Sequence, residues 1–300
     1  PEHNESMPAA RQENSARPAD WDAFTFVQAL AAEASAGRIE IPAFPDVAMR
    51  IRRALADELC DAGKLAKIVI AEPALAARLL QMANSAAFNA SGTRVTELKT
   101  AIARLGFSHV RTASLAYAMQ QLRHAESLEP IRAPLNALWE RSVKVAALAH
   151  VAARRWTRLS PDHALLAGLM HAVGRLYILT RSASHPGLFS DAAAYQQIVS
   201  RWQSPIAKLV LESWEMSPDV VEAVEKYEHP DREPDVAPDL TDVLSVAYVL
   251  ASFAEDPEAL EVQLAATGSA QRLGLSADSV QKVLEESADE LASLHSALGG

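Results

Sequence analysis

Asp162-His-Ala-Leu-Leu-Ala-Gly-Leu-Met-His-Ala-Val-Gly-Arg-Leu-Tyr-Ile-Leu-Thr180 is the stretch on which the fold turns. Wound as a helix, Leu165, Leu166, Leu169, Met170, Val173, Leu176 and Tyr177 cover nearly its whole circumference. A helix that is apolar all round belongs in the centre of a bundle. We read one unbroken helix from Asp162 to Thr180.

The neighbouring segments give it company. From Leu135 to Arg155, Trp139, Val143, Ala146 and His150 recur at spacings of four and three, which is one helix face. Downstream, helices are expected at 191–202, 204–215, 218–228, 239–255, 257–267 and 276–297, with the Pro-rich stretch 229–238 as a surface loop. Upstream, Asp20 suits an N-cap for a helix from Trp21 to Ala36 that Gly37 closes. Pro45 suits the first turn of a helix reaching Ala56. Shorter helices are read at Ala62–Ala71, Ala74–Ala87 and Glu97–Leu105, then a longer one at His109–Leu122 carrying Leu115, Met119 and Leu122. Thr96 and Ser108 are read as N-caps, and Gly106 as a helix end. No period-two alternation appears, so the class is all-α, an arrangement of many helices.

Composition bounds the rest. Of the 300 residues 49% are hydrophobic, 22% charged and only 6% aromatic, which favours helices over strands. The longest uncharged apolar run, Val243–Ala254, falls short of the about 20 residues a bilayer needs. The opening has no apolar signal core, and Cys60 is the single cysteine, so a cytoplasmic location is expected. Pro1 is not an initiator residue, which leaves room for upstream domains. A net charge of −10 argues against general affinity for nucleic acid or for an anionic membrane. The basic clusters Arg52-Arg53 and Arg154–Arg158 read as solvated helix faces. Residues 1–20 are polar and aperiodic, and read as a disordered tail. The polar stretch Glu126–Arg132, with Pro130 and Pro134 around it, marks an internal boundary.

Several blocks resemble one family. Ile41-Pro-Ala-Phe-Pro-Asp-Val-Ala, then Ala71-Glu-Pro-Ala-Leu-Ala-Ala-Arg-Leu-Leu-Gln-Met-Ala-Asn-Ser-Ala-Ala-Phe, look like the opening of an HDOD domain. Thr100-Ala-Ile-Ala-Arg-Leu-Gly-Phe-Ser-His-Val-Arg resembles its next helical block. Leu138-Trp-Glu-Arg-Ser-Val-Lys-Val-Ala and Ala167-Gly-Leu-Met-His-Ala-Val-Gly resemble its later part, which is related to the HD phosphohydrolases. The likeness runs from about 41 to 250. It implies a short-helix N-terminal lobe at 21–128, a degenerate HD-like lobe at 129–255 and a C-terminal helical extension at 256–300.

The resemblance also assigns positions. HD phosphohydrolases gather His and Asp because a divalent metal lowers the pKa of its bound water and draws phosphate to it. At the matching positions this sequence reads Arg141, His171, Ala172, Gln203, His229 and Tyr248. Only His171 and His229 are metal ligands by type, no carboxylate is among them, and Arg141 is a permanent cation. Asp162 lies about two turns before His171, too far along a helix to chelate with it. We expect no catalytic residue, no metal and no cofactor, with Arg141 reaching an acid such as Glu140 or Glu212. His150 and His171 read as hydrogen-bonded core histidines.

The resemblance therefore implies a non-enzymatic bacterial signal-transduction module that meets other signalling proteins by protein–protein contact. Two other readings stand beside it. Arg141 and His171 could hold a phosphate-containing ligand such as a cyclic dinucleotide, and a residual metal-dependent phosphohydrolase would need ligands this sequence lacks.

Overall fold

The computed structural model describes residues 19–37, 41, 46–185, 187–188, 191–229 and 236–299, with side chains from residue 25 onward. Among them there is no strand, and no helix is long and apolar enough to cross a membrane. Of the tail expected at 1–20, residues 1–18 lie outside the described residues while Ala19 and Asp20 already belong to a helix, and of the loop expected at 229–238, residues 230–235 lie outside them.

The first helices are α1 (Ala19–Ser35), α2 (Asp46–Leu55), α3 (Ala62–Val69), α4 (Pro73–Ala83) and α5 (Leu98–Arg123). Asp20 lies inside α1, one residue past its start. The Asp61 carboxylate caps α3 by accepting the Lys64 N–H at 2.8 Å, and Pro73 opens α4. Val47, Ile51, Leu65, Val69, Leu75, Leu79, Met82 and Ile102 build a small apolar core from α2 to the start of α5. The two helices expected at 97–105 and 109–122 follow one another along α5 and are parted at Gly106, whose φ of 79° and ψ of 165° are not helical and suit glycine. Glu97, not Thr96, stands at the N-cap of α5 without a side-chain cap, and after the kink the Ser108 side chain makes no capping hydrogen bond among the described residues.

A 3-10 turn (Glu126–Ile131) leads into α6 (Arg132–Trp156). Leu128 and Ile131 of that turn are buried in a second, larger core. Around it stand α7 (Pro161–Met170), α8 (Val173–Ser182), α9 (Ala192–Ser213), α10 (Pro218–Lys226) and α11 (Leu240–Phe253). The unbroken helix expected from Asp162 to Thr180 is two, parted at His171 and Ala172. Packing supplies the reason. A Cβ on Gly168 would stand 2.5 Å from the Ala146 Cα, and one on Gly174 only 1.9 Å from the Gln203 carbonyl oxygen. Each half thus presses backbone to backbone on a different partner, α7 on α6 and α8 on α9, and one straight rod could not serve both. Conversely, the helices expected at 191–202 and 204–215 are the single α9, with Pro205 inside. Burial of Ile198, Val199, Ile206, Ala207 and Val210 outweighs the hydrogen bond that Pro205 removes.

The remaining helices are α12 (Pro257–Ala266), α13 (Gly268–Arg272), α14 (Ala277–Glu286) and α15 (Ala288–Leu298). The helix expected at 276–297 divides at Ser287. Two elements join the cores. Along α5, Ala113 faces the small core while Leu115, Met119 and Leu122 face the large one. Along α15, Ala297 belongs to the small core, and Leu294 and Leu298 to the large one. Indole Nε1 of Trp139 donates to the Gly299 carbonyl at 3.1 Å and fixes the end of α15.

Candidate functional site

The break after α7 leaves His171 at a helix C-cap, under the wall of an open cleft of about 750 Å³. Its Nδ1–H donates to the Gly168 carbonyl at 2.7 Å, inside its own turn. The rings of Tyr227 and Tyr248 stand edge-on to it, with centroids 5.6 and 5.8 Å away, and 5.1 Å from each other. Burial pushes the imidazole pKa down to about 3; the Gly168 bond opposes this, and the charges of Arg141 and Arg175 reinforce it. The ring is neutral at ordinary pH. Burial likewise pushes the Tyr227 hydroxyl pKa up.

Arg141 lies over Tyr248, its guanidinium carbon 4.4 Å from the ring centroid, and donates to the Ser252 hydroxyl at 2.6 Å. The acid expected beside it is replaced by a ring and a hydroxyl, because α6 crosses α11 there. Glu140 turns instead toward His295, at 3.9 Å. Gln203 is buried on α9 at the cleft floor. Its Oε1 accepts from Nε of Arg175, its amide donates to Glu228, and the Arg175 guanidinium reaches Glu228 at 3.1 Å. Those three side chains close a triangle of charge-assisted bonds. His229 is exposed at the rim, and Ala172 is buried at the N-cap of α8 without a side chain able to cap it.

Five of the six positions marked in the sequence thus surround one cleft or lie under its wall, and Ala172 adjoins them on the α7–α8 turn. Sequence reasoning missed Arg175, Tyr227 and Glu228. Arg175 follows His171 by four residues, a spacing that could have flagged it. Glu228 gave no such signal, since its partners are 53 and 25 residues away.

Donor chemistry decides what this arrangement can hold. A hydrolytic metal centre needs about three protein ligands and an open position for water. The ligand types here are Glu228 and His229 in the lining and His171 under the wall; among the described residues no three such groups converge, and Glu228 is already engaged by Arg175 and Gln203. Two guanidiniums would stand beside any cation placed there. These residues do not fit a catalytic divalent metal.

Asp162 faces away from this site. It meets His109 of α5 at 3.0 Å, while His150 lies 3.5 Å from Glu290 of α15. The Phe88 ring meets both histidines edge-on, its centroid 4.6 Å from His109 and 6.4 Å from His150. Burial holds the His150 pKa below the usual imidazole value, although Glu290 pulls it the other way.

No curated protein matches the chain. Among solved structures, it is similar to a "Putative metal-dependent phosphohydrolase" from Shewanella amazonensis SB2B (TM-score 0.74, 24% identity, 93% of this chain and 99% of that one). An HDOD domain protein with unknown function from Geobacter sulfurreducens matches with TM-score 0.59 and 19% identity, over 90% and 96% of the two chains. A "Putative signal transduction protein" from Marinobacter aquaeolei VT8 matches with TM-score 0.60 and 21% identity, over 94% of this chain and 66% of the other. At these identities the likeness is one of fold. A family model is more specific: the HDOD domain matches residues 41–230, more than half the sequence. This chain belongs to the HDOD domain family.

Proposed function

We propose that the chain is a non-enzymatic signal-transduction module of the bacterial cytosol, on a scaffold whose HD metal site has been lost. It acts by protein–protein contact with other signalling proteins. The observation that carries this reading is the Arg175–Gln203–Glu228 triangle on the cleft floor. A guanidinium already neutralises the carboxylate that a metal would need, and Arg141 adds a second fixed positive charge. Resemblance of fold to a protein named for signal transduction is consistent with it.

The alternatives draw less from the geometry. Arg141 is engaged by Ser252 and Tyr248, and Arg175 by Glu228, so neither guanidinium waits for a phosphate. Arg154 and Arg155 face Glu290 and Glu286, which blunts the basic cluster as a nucleic-acid surface.

The test is hydrolysis of cyclic di-GMP and of bis(p-nitrophenyl) phosphate, with and without manganese, beside elemental analysis of the purified protein. We expect no turnover and no stoichiometric metal. Metal-dependent hydrolysis that His171→Ala abolishes at unchanged stability would overturn the proposal.

A further inference from the structure

Tyr227, at the C-cap of α10, and Ser245, on α11, both line the cleft that holds the Arg175–Gln203–Glu228 triangle. Tyr227 is 4% exposed and Ser245 5%, yet neither hydroxyl has a hydrogen-bond partner among the described residues. Other helical serines behave differently: Ser142, Ser182 and Ser252 turn their hydroxyls onto carbonyls of their own helices. A buried hydroxyl without a partner weakens a fold, so two of them at one cleft mark groups kept for something outside the chain. Neither oxygen is sealed from solvent, so the cleft is where that partner stands.

The charges of the lining are settled internally. Arg175 and Glu228 pair with each other and share Gln203, which leaves spare N–H groups and lone pairs but no net charge. The remaining imidazole, His229, is exposed at the rim. Gln196 and Gln263 add two amides, each both donor and acceptor. The rings do not form a slot for a nucleotide base. Tyr227 and Tyr248 stand edge-on to each other at 63°, and Arg141 covers a face of Tyr248. Phe253 is half-buried in the lining and has no ring neighbour among the described residues.

We propose that this cleft binds an uncharged polyhydroxy compound, a sugar or cyclic polyol. The hydroxyls of such a molecule donate and accept at once, as do those of Tyr227 and Ser245 and the amides beside them. Its C–H face lies on the single ring of Phe253. A phosphate ester, by contrast, gains a cation only by breaking the Arg175–Glu228 pair. The opening of about 750 Å³ admits a mono- or disaccharide. This inference goes beyond the protein-contact reading and does not depend on it.

The experiment presents the full chain with ribose, glucose, myo-inositol, maltose and trehalose, beside adenosine, glucose 6-phosphate and cyclic di-GMP. Binding is read by saturation-transfer NMR and titration calorimetry. At least one of the uncharged sugars or polyols should bind with a Kd below about 1 mM. Tyr227→Phe and Ser245→Ala each remove one oxygen and should weaken that binding about tenfold. Their melting temperatures should equal or exceed that of the wild type, because the fold loses an unpaired polar group and no bond. The inference falls if none of the sugars or polyols binds, if binding survives both substitutions, or if a phosphorylated compound binds more tightly than its neutral counterpart. Adenosine binding in the absence of sugar binding overturns it too, and so does a clear drop in melting temperature, which would mean that the hydroxyls are engaged within the fold. These measurements involve neither hydrolysis nor metal, so they succeed or fail apart from the test of the proposed function.

Discussion

Oδ1 of Asp162 stands 3.0 Å from Nε2 of His109, tying α7 to α5 at the seam between the two cores. Nδ1 of the same ring is 2.7 Å from the Leu105 carbonyl, so both nitrogens of His109 face an oxygen. Burial works against the Asp162 charge, but the His109 bond and the fields of His109, His150 and His163 hold its carboxyl below the usual range.

Asp162→Asn tests this contact through pH. Because the folded value is depressed, the contact stabilises fully above the unfolded carboxylate pKa of about 3.9 and is lost as pH falls through the folded value. Asp162 is 36% exposed, so solvent screening limits the effect to about 1 kcal/mol or less. Urea unfolding of both proteins from pH 3 to 7 should show a steady gap above pH 5 that closes toward pH 3. A gap that widens in acid would contradict the assignment.

His171 supplies the opposite kind of titration. Its folded pKa of about 3 lies far below the unfolded value of about 6.5, so the unfolded chain binds the proton first. Stability should therefore fall as pH drops from about 6.5 toward 3, by up to about 1.4 kcal/mol per pH unit from this group. Buried His150, also depressed, adds a slope of the same sign. His171→Gln should cost about 1–3 kcal/mol in packing at pH 7 and flatten the decline between pH 6 and 4. An unchanged slope in the variant would show that the imidazole is not the group responsible.

How far the sequence could be read depended on how local the signal was. Helix stripes such as Trp139–Val143–Ala146–His150 are local, and they give the class and nearly every element. The turn at His171 and Ala172 is not local, because it follows from Gly168 meeting Ala146 and Gly174 meeting Gln203 across the bundle. Pro205 misled for the mirror reason: its residue type signals an end, and burial on neighbouring helices overrides it. In the cleft, family likeness pointed to Gln203 and Tyr248. The side chains that neutralise and wall it, Arg175, Glu228 and Tyr227, come together only through the fold. Asp162 finds its partner in His109 on α5, a pairing that carried no pattern in the sequence.

Gly174→Ala tests the close approach directly. An alanine Cβ would fall 1.9 Å from the Gln203 carbonyl oxygen, and that atom is backbone, so α8 and α9 must separate. Overpacking of this kind costs about 1–3 kcal/mol, sometimes more. The same displacement moves Arg175 from Gln203, so the triangle loosens with the helices. We expect a fall of several degrees in melting temperature. A melting temperature equal to that of the wild type would mean the helices do not touch as described.

Ala172→Asp creates the carboxylate that the HD pattern wants beside His171, and it should not create an enzyme. Ala172 is 2% exposed and is the N-cap of α8, with φ −101° and ψ 13°. An aspartate there finds the unpaired N–H groups of the first turn of α8, and one of its oxygens caps the helix instead of meeting a metal. Arg175, in that same first turn, offers a second competing partner. Capping contributes about 1 kcal/mol, whereas forcing a carboxylate into a filled, buried position costs about 1–3 kcal/mol, so the variant should be slightly less stable. Even with the new group, His171, the introduced carboxylate and an already neutralised Glu228 would share the centre with two guanidiniums. Manganese or zinc should therefore leave the melting temperature of Ala172→Asp unchanged, and cyclic di-GMP should survive incubation with it. A metal-dependent rise of several degrees would mean that one substitution had rebuilt the centre, and that Arg175 yields its carboxylate to a cation.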